Sequence, residues 1–169
     1  MANTFKKLTA LIIIATTITG CGSGQTAVTR TIKQITDGVE AESNGIKLRN
    51  VLIVKTANSE GVLVATVVNT QDETDAIVSI SIGAIAATLF AVDLNLVKNK
   101  PIIFVGDRAN ADAFVGGLSI TAGDRVEVTV NFAKSAAVKV SALVVNSEGI
   151  YKDLLRSTPS IPVVATPAP

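Results

Sequence analysis

One thiol is present in the chain, Cys21, and its neighbours give it a specific chemistry. Lys6 and Lys7 precede an apolar run that starts at Leu8 and ends at Ile18-Thr19-Gly20-Cys21. A positive start, a short apolar stretch and small residues ahead of a cysteine form the layout of a secretory signal of the lipoprotein kind. The expected reactions are transfer of a diacylglyceryl group to the thiol, cleavage after Gly20 and acylation of the new amino terminus. Thr9, Thr16, Thr17 and Thr19 interrupt the run, which is shorter than the ~20 apolar residues a bilayer span needs. Lipidation at Cys21 is therefore expected to hold the protein on the extracytoplasmic face of the cell membrane. Two or three acyl chains make such an attachment stable.

The other candidates are acidic and polar. Asp72, Glu73 and Asp75 could offer hard oxygen ligands to calcium, but their spacing matches no ligand loop and they read as solvated turn acids. Arg108 and Asp112, on either side of Asn110, read as polar groups of a loop. The absence of histidine removes the usual base poised near neutrality and the commonest transition-metal ligand. Met1 is the sole methionine and leaves with the signal, and the Cys21 thiol is taken by lipid, so soft metals find no methionine and no free thiol in the mature chain. No phosphate-cradling Gly-rich loop, nucleophile elbow or Cys-x-x-Cys pair is present. The expectation is a protein that is not an enzyme, with no catalytic, cofactor-binding or metal residues and Cys21 as its modification site. Fifteen basic residues nearly balance fourteen acidic ones, so there is no net basic charge to draw the chain to nucleic acid.

The elements that follow are read from hydropathy periodicity. Residues 1–20 are the signal and 21–44 a lipidated tether, rich in Thr, Gln, Ser and Gly and too poor in apolar residues to bury a face. From Gly45 the period is two. Ile46 and Leu48 alternate with Lys47 and Arg49, then the inward phase slips near Asn50, which predicts a β-bulge. Val62–Val68 is apolar on both phases, as in a strand packed on both sides or near an edge of the core. Asn69 to Asp75 is a polar turn, after which Ala76, Val78, Ile80 and Ile82 alternate with Ser79 and Ser81. Thr88, Phe90, Val92, Leu94 and Leu96 suggest one face of a strand, with a loop at 98–101 and a hairpin partner at 102–105. Val126–Phe132 and Val138–Val144 are the plainest strands, joined by residues 133–136.

Some seven short strands, frequent turn signals and almost no helical periodicity predict an all-β, Greek-key antiparallel β-sandwich over residues 45–149. With no tryptophan, Phe90, Phe104, Phe114 and Phe132 are its expected large fillers. Residues 150–169 are expected to give a short helical turn and a disordered Pro/Ala-rich tail. No disulfide is available, so packing alone must hold the domain.

The order of features, from the Cys21 signal through Ile46-Lys47-Leu48-Arg49-Asn50-Val51, Val68-Asn69, Ala76-Ile77-Val78-Ser79-Ile80 and Ile102 to Gly106, to Leu118-Ser119-Ile120-Thr121-Ala122-Gly123-Asp124 before Val126, resembles the LpqE-type lipoproteins of actinobacteria. These are similar to the copper-chaperone-like (PCuAC-like) domain group, whose fold is of the cupredoxin or immunoglobulin kind. The resemblance implies the sandwich. Its copper-binding branch uses methionine and histidine ligands, which no position of the mature chain supplies. The expected function is a lipid-anchored cell-envelope lipoprotein with a non-catalytic binding or scaffold module. Its partners would be the membrane, through Cys21, and an envelope protein. The alternative is a copper-chaperone-like envelope protein with residual metal binding.

Overall fold

The computed structural model describes residues 37–152. Cys21, most of the tether and the Pro-rich tail lie outside the described residues. Eleven strands follow one another: β1 Val39–Ser43, β2 Ile46–Lys55, β3 Gly61–Asn69, β4 Asp75–Ile82, β5 Ile85–Ala86, β6 Thr88–Ala91, β7 Asn95–Leu96, β8 Ile102–Phe104, β9 Ala111–Val115, β10 Arg125–Phe132 and β11 Val138–Asn146. A 3-10 turn at Gly149–Tyr151 closes the described chain. The all-β sandwich expected from the alternation is what forms.

The strands run in the order β5-β4-β10-β11-β2-β3-β8-β9-β6, with β1 beside β2 and β7 beside β4. The two ends of that order, β5 and β6, are separated in sequence by Ala87 alone, so the sheet curls until it nearly closes on itself. Inside lies one aliphatic cluster that draws on Ile46, Leu48, Val51 and Ile53 of β2, Ile80 and Ile82 of β4, Val128 and Val130 of β10 and Val144 of β11. β-Branched side chains dominate it because they pack well on a pleated, half-buried surface. Among the described residues the pairings are antiparallel except that β11 runs parallel to β2 over Leu143–Asn146, a single parallel pair joins β8 to β9, and an isolated parallel bridge links Asn69 to Lys98.

The phase slip in β2 is a bulge. Its register against β3 shifts between Arg49 and Leu52, and Asn50 takes a φ of 53°. The Asn50 side chain accepts a hydrogen bond from the Gly38 N–H at 3.2 Å, which fastens the chain just ahead of β1 to the bulge. A Cβ at Gly38 would lie 2.4 Å from the Asn50 carbonyl carbon, so a side chain is excluded there.

Three expectations need correction. The tether does not extend to Asn44, because Val39–Ser43 pairs with β2 through a two-residue turn in which Asn44 and Gly45 both have positive φ, 45° and 73°. That is the geometry Asn-Gly favours in a hairpin. In β4 the register against β10 shifts between Asn131 and Phe132, so Ile77 turns inward and Val78, expected in the core, is exposed. Finally, residues 88–105 are not one hairpin. The Asp93 carboxylate accepts hydrogen bonds from the backbone and side-chain N–H groups of Asn95, an Asx turn that breaks the strand. As a result β6 pairs with β9, β7 with β4 and β8 with β3. Phe104 and Phe132 are buried as expected, whereas Phe90 and Phe114 are half-buried and stack on each other, centroids 5.8 Å apart.

Gly61 opens β3 against side chains of the core. A Cβ there would meet Leu118 Cδ2 at 2.7 Å, Ile53 Cγ2 at 3.2 Å and Val115 Cγ2 at 3.3 Å. Overpacking of this kind costs about 2 kcal/mol. Gly61→Ala is expected to lower the urea midpoint with no change in the slope m, and an unchanged midpoint would show that the site has room to spare.

Candidate functional site

The acidic turn between β3 and β4 is the one place where several of the singled-out side chains converge. Its frame is Asn69, the last residue of β3, which is 1% exposed. The Asn69 side-chain amide donates to the carbonyl oxygens of Glu73 at 2.7 Å and Leu96 at 2.8 Å, while its oxygen accepts from the Gln71 N–H at 2.8 Å. A buried amide satisfied on both ends fixes the loop without help from a bound ion. Around it is a cleft of about 270 Å³, lined by Asn44, Gln71, Asp72, Glu73, Lys134 and Ser135, among others.

The three acids do not act as a unit. Asp75 turns inward and is 6% exposed. Its Oδ1 accepts from the N–H groups of Ala76 at 2.7 Å and Lys134 at 2.9 Å, and its Oδ2 from the Ser135 N–H at 2.9 Å. Burial pushes its pKa up, but hydrogen bonds from the Ser135 hydroxyl and from the backbone of Ala76, Ser135 and Lys134 together hold it below the ordinary carboxylate value. Asp72 and Glu73 point the other way, into ion pairs with Lys98 at 2.7 Å and Lys134 at 2.9 Å. Both carboxylates are largely exposed, and pairs of that kind add little stability. What the cluster does is mechanical: Asp75 staples the start of β4 to the turn that leaves β10.

The second group is not brought together. Arg108 is exposed in the loop before β9, and Asp112 is buried within β9 opposite Phe90. Asn110 clamps that loop, donating to the Pro101 carbonyl at 3.0 Å and accepting from the Ile103 N–H at 2.8 Å. Lys134, Ser135 and Lys98, which complete the acidic turn, went unnoticed in the sequence because their partners lie 26 to 61 residues away.

As a place for copper the donor set does not fit. The described residues contain no cysteine, histidine or methionine, and no group of three or more carboxylates among them is gathered to hold a metal. The oxygens of Asp75 are already taken by backbone donors. Cu(I) selects thiolate, thioether or imidazole, none of which is offered.

No family model matches the sequence, and no curated protein matches it. Solved structures do. The copper-bound PCuAC domain from PmoF2 is 17% identical, with a TM-score of 0.54, and the match covers 64% of this chain and 98% of that one. The apo PCuAC domain from PmoF1 is 16% identical, TM-score 0.54, covering 63% and 98%. The apo PmoF2 PCuAC domain is 17% identical, TM-score 0.55, covering 66% and 98%. At such identities the likeness is one of fold, and the chain carries the PCuAC-like β-sandwich.

Proposed function

We propose that the chain is an LpqE-type envelope lipoprotein of copper-chaperone-like kind. It is non-catalytic, held on the extracytoplasmic face of the cell membrane by lipid on Cys21, and works by docking its sandwich onto an envelope protein. The likeness of its fold to PCuAC domains, one of them solved with copper, favours copper handling over an unspecialised scaffold. The arrangement of Lys6, Lys7, the apolar run and Cys21 supports the anchor.

The side chains set the terms of that role. Without soft donors the module does not retain Cu(I) by itself, so copper is a cargo whose strong ligands come from the docked partner. The purified chain, equilibrated with Cu(I) against a competing chelator, is expected to keep no stoichiometric metal, and Asp72→Asn with Glu73→Gln should change nothing. Stoichiometric retention would overturn the partner-supplied ligand. The role is tested in cells lacking the protein by measuring the copper content of envelope copper enzymes, which should fall and recover when the chain is restored. A scaffold without a copper role is the second reading, favoured by the lack of cysteine, histidine and methionine among the described residues. Unchanged copper content, with the chain still crosslinking to an envelope protein, would select it.

A further inference from the structure

β2 runs from Ile46 to Lys55, so its two ends lie about 30 Å apart. The acidic turn is fastened at the first end, where the Thr70 N–H donates to the Gly45 carbonyl at 3.0 Å. At the other end is a second cleft, of about 370 Å³, lined by Lys55, Thr56, Thr121, Asn146, Ser147 and Glu148, among others. Its chemistry is of both signs. Lys55 is half-buried, and its Nζ donates to the Ile120 carbonyl at 2.8 Å, which leaves the ammonium with further donors. Glu148 is exposed on the same cleft, yet the two form no ion pair with each other. A cation and an anion held apart among hydroxyls and an amide suit a zwitterion, with phosphate oxygens on Lys55 and the hydroxyls and an ammonium on Glu148.

Two residues after Glu148 comes Ile150, 82% exposed, on the 3-10 turn Gly149–Tyr151. Half-buried Tyr151 and exposed Lys152 follow it. An apolar side chain beside a tyrosine and a lysine is the composition of a membrane interface, where the ring sits at headgroup level and the lysine reaches phosphate. The same turn holds the start of the described chain. The Tyr151 hydroxyl donates to Asp37 Oδ2 at 2.9 Å, and Asp37 is the described residue nearest to Cys21 in sequence. Val92 is as exposed, at 84%, but the stretch from Ala76 to Val92 holds no cation to meet a phosphate.

We propose that this end of the domain rests on a phospholipid surface, with Ile150 entering the boundary between headgroups and acyl chains and the cleft of Lys55 and Glu148 receiving a headgroup that carries both phosphate and ammonium. The proposal rests on the membrane-anchored reading above, and it turns the end that bears the acidic turn outward, toward the docked envelope protein. The chain has no tryptophan, so one placed at 150 or at 92 reports on its own surroundings. The mature chain, from Cys21 onward, is coupled through that thiol to maleimide-bearing lipid in vesicles of phosphatidylethanolamine and phosphatidylcholine with brominated acyl chains. This coupling decides the docking whether or not cells lipidate Cys21, and failure of the anchor reading shows separately, in fatty-acid labelling of Cys21. Ile150→Trp is expected to lose about half of its emission to the bromines, as a side chain at the acyl boundary does, while Val92→Trp keeps its emission. Lys55→Gln or Glu148→Gln, each added to Ile150→Trp, should cancel about half of that loss. Equal quenching at 150 and 92, or none at 150, would overturn the proposal. Quenching at 150 that neither cleft substitution changes would strike the headgroup from it.

Discussion

Asp75→Ala is expected to destabilise the domain by about 2 kcal/mol, because a buried carboxylate that accepts three backbone N–H groups is lost. Removal of the carboxylate leaves the N–H groups of Lys134 and Ser135 without the acceptor that now receives them at 2.9 Å. A buried donor without a partner costs about 1–3 kcal/mol; Lys134 is exposed and Ser135 half-buried, so water takes over part of that loss. Asp75→Asn keeps the shape but sets an amide N–H against the Ser135 N–H, so it should recover only part of the loss. The carboxylate also makes stability depend on pH. Its folded pKa lies below the unfolded value, so its contribution is fully present above about pH 4 and is lost as pH falls through the folded pKa. Urea midpoints measured from neutral pH down into acid check both points. The gap between wild type and Asp75→Asn should narrow below about pH 4, and a gap of constant size would remove Asp75 as the source of the dependence.

Cys21→Ala is expected to abolish lipid attachment altogether. Each acyl chain contributes about 0.8 kcal/mol per buried methylene, and no helix among the described residues is long and apolar enough to cross a membrane in its place. Detergent phase partitioning should therefore move the protein from the detergent phase to the aqueous one, and label from fatty acid should appear in the wild type and vanish in the variant. Equal labelling of the two would show that the lipid, if present, sits on another residue.

Where side-chain alternation met an uninterrupted sheet, the sequence was legible. β10 and β11 stand where Val126–Phe132 and Val138–Val144 placed them, and the Asn50 bulge was visible as a slip of inward phase. Val78 went the other way because a bulge that depends on β10 leaves no trace in β4 alone. The first hairpin had a plain signal in Asn44-Gly45, but β1 reads Val-Glu-Ala-Glu-Ser, and so little apolar surface looks like tether until β2 is seen beside it. The acidic turn was found as a cluster, yet nothing local separates Asp75 from Asp72. Their difference lies in backbone donors some 60 residues further along.

The parallel pairing of β11 with β2 determines when the domain can form. Leu52 to Lys55 have no neighbour on that edge until Leu143 to Asn146 arrive, so about 90 residues must be spanned before the register closes. Contacts this far apart in sequence make folding slow. A chain emerging amino terminus first is therefore held short of its native state until nearly all of it has been delivered.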